Sequence, residues 1–193
     1  MTFYRRNLPH WCPEGRAIFL TWRLCGSLPE KSRIEIAKFR GNPGRQFLML
    51  DRHLEPATSG PLWLADPEIA DCAESSILRG QELHHYELHA YVIMPNHVHL
   101  LLEPRVPLRK ITNAVKGTSS RNANARRKST GKHFWQDESF DHWIRNSQEF
   151  ERLRRYIEWN PVKAKLAARP EDWRWSSAHT PPKKSAPHRG LLP

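Results

Sequence analysis

The order of apolar runs and turn signals in this chain predicts an α+β fold, with helices packed on a mainly antiparallel sheet. Two observations carry that prediction. Residues 86–94 and 97–104 are apolar, β-rich runs separated only by Pro95 and Asn96, which is the pattern of a hairpin. Helical periodicity flanks the hairpin on both sides and a strand-like run precedes it, giving the order strand, helix, hairpin, helix, strand, helix.

Taken in turn, "AIFLTWRLC" (residues 17–25) is compact, rich in β-formers and closed by Gly26 and Pro29, so it is the first strand. Residues 30–64 mix a short helical pattern with Gly and Pro breaks, and segment 26–65 is expected to be an insertion or lid rather than core. Asp66 and Pro67 offer an N-cap and a first-turn proline, and Ile69, Ala73, Ile77 and Leu78 follow at helical spacing up to Gly80. Beyond the hairpin, Leu108, Ile111, Val115 and Thr118 mark a helix within residues 107–128. "GKHFWQDESFDHWIRN" reads as an edge strand with loops. Asn146 and Glu149 form a capping-box pair that starts a helix, which Pro161 stops or kinks, and "VKAKLAAR" reads as a second short helical piece. The simplest assignment is a ferredoxin-like βαββαβ palm. Residues 1–169 then make one domain, and 170–193 a proline-rich basic C-terminal extension that either docks or stays mobile.

The chain has 193 residues, with 31 Lys and Arg against 20 Asp and Glu, a net charge of +11. Mean hydropathy is low, at -0.73. Eight Trp, seven Phe and four Tyr nevertheless argue for a packed core. The positive balance suits a partner that carries phosphates. It is concentrated between Arg105 and Lys132, where nine Lys or Arg occur without one acid. Arg109, Lys110, Lys116 and Arg121 on this helix, with Arg5 and Arg6 from the N-terminal arm, are the candidate nucleic-acid contacts; a solvated basic face is the plainer alternative. No apolar run reaches the roughly 18 residues of a membrane span. The N-terminus lacks the apolar core of a signal peptide, so a cytoplasmic protein without a membrane partner is expected. Cys12, Cys25 and Cys72 fit no zinc-ligand spacing and read as reduced packing residues.

"MPNHVHLLLEP" raises the sharpest question. Side chains alternate along a strand, so Val98, Leu100 and Leu102 define the core side and His97 and His99 project together from the other. Two neutral imidazoles on one face suit a divalent cation. An isolated pair of hydrogen-bonded strand histidines would leave the same pattern. On the last helix, Phe150, Leu153 and Ile157 mark the buried stripe, with Tyr156 and Asn160 one turn apart at its edge. An amide oxygen can ligate a hard cation and a phenol can attack an electrophile; a boundary aromatic and a helix-ending Asn would also explain the two residues.

Together, "VIMPNHVHLLLEP" resembles the HUH signature of single-tyrosine transposases, and "RRYIEWNPVKAKL" resembles the helix that carries their nucleophile. "YRRNLPHW", "FLTWRL" and "FWQDESFDHWIRN" are similar to the branch called REP-associated tyrosine transposases, within the IS200-like group, and the resemblance spans residues 4–178. It implies a ferredoxin-like palm with the histidines on a central strand, helices on one face, and the tyrosine on a C-terminal helix. It further implies His97, His99 and Asn160 as ligands of Mg²⁺ or Mn²⁺ and Tyr156 as catalytic nucleophile. Many relatives carry Gln where this chain has Asn160, while the REP-associated branch has Asn before Pro. The implied activity is cleavage and rejoining of single-stranded or hairpin DNA through a 5′-phosphotyrosine, by a monomer acting in cis. Two other readings stay open: a regulator that binds hairpins without cleaving them, and a zinc-structured domain using His97, His99 and one of His84, His85, His89 or His142.

Overall fold

The computed structural model describes residues 2–5, 9–12, 15–39, 41–55 and 60–180. At the N-terminus β1 (Thr2–Arg5) and β2 (Pro9–Cys12) pair as an antiparallel ribbon. The main sheet contains β3 (Ile18–Arg23), β4 (Tyr86–Ile93), β5 (His97–Pro104) and β6 (Phe140–Trp143). Its order is β4-β5-β3-β6 and every pairing is antiparallel. With α3 (Pro67–Glu82) joining β3 to the hairpin and α4 (Leu108–Arg126) joining the hairpin to β6, this is the ferredoxin-like βαββαβ arrangement. The last helix, α5 (Ser147–Lys163), follows β6.

Both faces of the sheet are covered, which explains why β3 and β5 are nearly continuous apolar runs. On one face Leu20, Trp22, Val98, Leu100 and Leu102 pack with Ile69, Ala73 and Ile77 of α3 and Ile111 and Val115 of α4. On the other, Phe19, Val92 and Leu101 meet Ile157 of α5, with Phe150, Leu153 and Tyr156 packed at the margin. His97 and His99 belong to this second face, and neither ring is exposed to solvent. The expectation that they project away from the core is therefore corrected: they lie inside a second layer.

Part of that layer comes from the segment expected to be an insertion or lid. Within it are α1 (Glu30–Ala37) and α2 (Pro43–Leu54). The second begins at Asn42, whose side chain accepts from Arg45 N at 3.1 Å, with Pro43 in its first turn. Its Phe47 and Leu50 pack on the α5 side of the sheet, while Asp51 and Leu54 are buried.

The start of α5 follows its sequence signals. Asn146 Oδ1 accepts from Glu149 N at 2.8 Å, and Glu149 in turn accepts from Arg145 N and pairs with His142. Its end does not. Pro161 lies inside the helix, which continues to Lys163 because Asn160 and Val162 carbonyls accept from Ala164 and Lys165. Lys165 then turns left-handed, at φ 60°, and "VKAKLAAR" forms no second helix.

Of the C-terminal extension, the described part docks on the free edge of β4. Ile93 N donates to Trp175 O and Ser177 N to Tyr91 O, both at 2.9 Å, while the Trp175 indole donates to Asp71. Covering an edge strand in this way satisfies its backbone groups. Residues 181–193 lie outside the described residues. Cys25 is half-buried and Cys72 buried, both as free thiols, and the side chain of Cys12 lies outside the described residues. No described helix is long and apolar enough to cross a membrane.

Because the Asn146 cap orders the first turn of the tyrosine-bearing helix, Asn146→Ala is expected to lower unfolding free energy by about 1 kcal/mol in urea titrations.

Candidate metal centre and nucleophile

The site is built where β5, β3, α2 and α5 converge. Antiparallel pairing sets His99 opposite Thr21 on β3, and His97 opposite Arg23. The two Nε2 atoms lie 3.0 Å apart. From α2, Asp51 brings its carboxylate within 3.4 Å of His99 Nε2, and ligand atoms of Asp51, His97 and His99 all lie within 4.8 Å of one another.

Hydrogen bonds on the far side of each ring orient these nitrogens. Asn96 Nδ2 donates to Leu54 O at 3.1 Å, which turns the amide oxygen toward His97. That oxygen can only accept, so His97 Nδ1–H donates to it, at 2.6 Å, and His97 Nε2 carries a free lone pair. His99 Nδ1 meets Thr21 Oγ1 at 2.7 Å; the hydroxyl can donate to Nδ1, with Nε2–H then directed at His97 Nε2 and Asp51, or accept from Nδ1–H, which turns the Nε2 lone pair to a cation. Metal-binding histidines use such outer partners to fix tautomer and ring orientation. Since Leu54 is the last residue of α2, the same amide ties the helix carrying Asp51 to the strand carrying the histidines.

Electrostatics agree with a ligand role. Burial and the neighbouring His99 push the His97 imidazole down to about 3, so it is a neutral nitrogen base near pH 7. Burial raises the Asp51 carboxyl, but His99, His97 and the Tyr156 hydroxyl outweigh it, leaving the group ionised and below its ordinary value. A cation fits the donor set by a further criterion. Asp51 Oδ1 and both amide atoms of Asn160 are buried and meet no partner at hydrogen-bonding geometry, although buried polar atoms are nearly always bonded.

Tyr156 stands on the same side of the sheet. Its ring is edge-on to His99 at 5.5 Å, Phe19 at 6.0 Å and Phe47 at 6.1 Å, so strand, insertion and last helix together clamp it. Its hydroxyl is buried near Asp51 and Asn160 and, like their orphan atoms, meets no partner at hydrogen-bonding geometry. Burial and the Asp51 and Glu55 carboxylates hold the phenol well above its ordinary range, so it carries its proton at neutral pH. Lys163 anchors the end of α5 by an ion pair with Glu55, and its ammonium lies 5.8 Å from the centroid of the Tyr156 ring. A cavity of about 410 Å³ opens beside Thr21, bounded by Leu50, Leu54 and Phe140.

His97, His99, Tyr156 and Asn160 are thus all buried or half-buried on one face of the sheet. Of the other histidines weighed for a zinc site, His84, His85, His89 and His142 join no metal-competent cluster among the described residues. Sequence reading missed Asp51, Asn96 and Thr21. For Asp51 a trace exists: it falls on the stripe Phe47, Leu50, Leu54, an acid among apolar helix positions.

The basic residues are divided. Arg109 and Lys116 line a cleft of about 390 Å³ between α4 and residues 131–139, with Lys132 and His133, whereas Lys110 and Arg121 are exposed and do not line it. Lys116 Nζ donates to Gln136 O at 2.7 Å and Asp137 O at 2.9 Å, so much of its bonding capacity organises that loop. All four are on α4, across the sheet from Tyr156. Arg5 is in β1 and Arg6 lies outside the described residues.

Fold and site together describe a palm with a buried two-histidine centre facing a tyrosine. The family model described as "Transposase IS200 like" matches residues 64–160, half of the chain, and the chain belongs to that family. Among solved structures it is similar to a REP-associated tyrosine transposase bound to a REP hairpin, at 18% identity and a TM-score of 0.54, covering 91% of this chain and 82% of the other. It is also similar to a putative transposase from Deinococcus radiodurans, at 19% identity and a TM-score of 0.41, covering 78% and 98%. The first likeness supports the fold. No curated protein matches the chain.

Loss of the outer amide in Asn96→Ala is expected to weaken Mn²⁺ binding by about 10- to 100-fold in calorimetric titration. Acid should also act through His97. Its folded value of about 3 lies below the ordinary 6.5, so between these values the unfolded chain binds more protons. Stability in EDTA is then full above about 6.5 and falls as pH drops toward 3, and urea melts of His97→Gln across that window should show a shallower decline.

Proposed function

We propose that this chain cleaves and rejoins single-stranded DNA by transesterification, with Tyr156 as nucleophile. The observation that supports this best is the convergence of the Tyr156 hydroxyl, the Asp51 carboxylate and two imidazole nitrogens in one buried cluster. Asp51, His97, His99 and the Asn160 amide oxygen would hold a divalent cation, Mg²⁺ or Mn²⁺, which when bound supplies Lewis-acid stabilisation of charge on a phosphate oxygen.

The chain's own residues account for the remaining steps. Phe19 and Phe47 keep the Tyr156 ring in one orientation and keep water from it, so the phenol oxygen rather than water meets phosphorus. As the Tyr156 oxygen bonds to phosphorus, the bond to the 3′-oxygen breaks and that oxygen leaves as a hydroxyl, taking the proton that Tyr156 has passed to Asp51. Asp51, beside the phenol and ionised, accepts the proton that Tyr156 gives up. The 5′-phosphotyrosine keeps one phosphate ester for another, so attack by a second 3′-hydroxyl returns the proton and rejoins strands without a nucleotide cofactor.

Hairpin-flanked repeats are the proposed substrate. The family supports DNA transposition, and the REP hairpin held by one similar structure guides the choice of target. Arg109, Lys110, Lys116, Arg121, Arg5 and Arg6 remain proposed backbone contacts. A monomer acting in cis and a cytoplasmic location are part of the same proposal. Segment 26–65 is read as a lid, since it delivers both Phe47 and Asp51 to the site.

The test uses single-stranded DNA carrying the inverted repeats beside the gene, incubated with Mn²⁺ and resolved on a denaturing gel. A covalent protein–DNA adduct is expected, absent in EDTA and in Tyr156→Phe and formed roughly 100-fold more slowly by Asp51→Asn. Cleavage that survives Tyr156→Phe overturns the mechanism, and binding without any adduct favours a regulator that holds hairpins silently.

A further inference from the structure

The basic residues of α4 and the nucleophile lie on opposite faces of the sheet, so a strand held only by α4 would have to round the sheet edge to reach Tyr156. The helix that carries Tyr156 has a basic face of its own. Arg152, Arg155, Trp159 and Lys163 are spaced three, four and four residues apart, which lines them along one ridge immediately beside Tyr156. Successive members spaced by four rise about 6 Å along the axis, a step suited to consecutive phosphates of an extended strand.

The ridge faces solvent. Trp159 is 55% exposed, although a free indole leaves a large apolar area in water. Arg155 is exposed, and the side chains of Arg152 and Lys163 are 73% and 57% exposed. Glu151 and Glu158 both grip Arg154, at 2.9 and 3.0 Å, while Glu149, held by His142 and Arg145 N, also reaches Arg152 at 3.4 Å, and Lys163 pairs with Glu55. The ridge thus sets three cations around one aromatic surface, with Arg152 and Lys163 in ion pairs whose carboxylates a phosphate would replace and Arg155 in no ion pair among the described residues. At its C-terminal end, the Lys163 ammonium already stands over the Tyr156 ring, so the ridge leads to the nucleophile.

We propose that this ridge is the track for single-stranded DNA adjoining the bond at Tyr156, with a base stacked on Trp159 and phosphates on Arg155, Arg152 and Lys163. The proposal rests on the strand-transfer reading for its direction, but its chemistry is that of a single-strand binder: a stacking surface tolerant of any base, interleaved with cations that follow the backbone. A protein partner or a second copy would meet an isolated indole ringed by charge, without the contiguous apolar area that such an interface buries.

Binding is measured in a Tyr156→Phe background, which separates it from bond cleavage, by fluorescence anisotropy of labelled oligothymidylate at several salt concentrations. Trp159→Ala is expected to weaken binding about tenfold with an unchanged melting temperature, and Trp159→Phe to restore most of the loss. Arg155→Ala should make the logarithmic salt dependence shallower by about 0.7, the share of one single-strand phosphate. Unchanged affinity in both alanine variants overturns the track, as does a Trp159→Ala protein that shifts from dimer to monomer while binding DNA normally. The two readings fail separately. If the parent chain forms the phosphotyrosine adduct while Trp159→Ala binds normally, only the track falls; if no adduct forms but Trp159→Ala loses oligothymidylate, only strand transfer falls.

Discussion

One side-chain amide sets the geometry on which this site depends. Asn96, in the tight connection of the central hairpin, spends its N–H on the last carbonyl of α2 and its oxygen on His97. Because a carbonyl can only accept, the amide has one workable orientation, and that orientation dictates the imidazole tautomer. The bond also fixes how far α2 stands from β5, and hence where Asp51 meets His99. Moving this amide would disturb the first imidazole, the carboxylate and the wall around Tyr156 together.

Such a cluster needs a frame that suppresses alternatives, since buried polar groups without partners are costly. The sheet supplies it by being covered twice. Apolar side chains of β3 and β5 lock one face to α3 and α4, so the histidine face cannot rotate toward water by a slip in register without burying the wrong set. Phe19, Phe47 and Phe140 surround the second face and leave the polar atoms facing one another. The resulting low-dielectric environment holds His97 neutral and Tyr156 protonated, while the carboxylate between them stays ionised. These three states place lone pairs, a negative charge and a bound proton at one point.

Much of the frame was legible before folding. Alternation along "HVHLLLEP" separated the histidines from the core residues, and capping signals at Asp66 and Asn146 marked where α3 and α5 begin. The spacing of Tyr156 and Asn160 put both on one side of a helix, where they are found. The errors have physical causes. Pro161 removes a donor that the helix interior does without for one turn, so α5 runs on to Lys163. The second short helix fails because Lys165 adopts a left-handed conformation that closes the turn instead. The imidazoles were expected on an open face because alternation tells which side of a strand is apolar, not whether the polar side is covered.

By itself the sequence determined the strand and helix order of the palm, though not the N-terminal ribbon, the pairing of two histidines on one face of a central strand, and a tyrosine one turn before an asparagine, since periodicity and capping act between near neighbours. Only the tertiary structure decided that α2 folds back over the sheet, that Asp51 becomes the partner of His99, that Asn96 orients His97, and that the basic helix α4 lies across the sheet from Tyr156. Each of these joins residues separated by dozens of positions. Their meeting depends on which layers pack on which face of the sheet, and no local pattern encodes that.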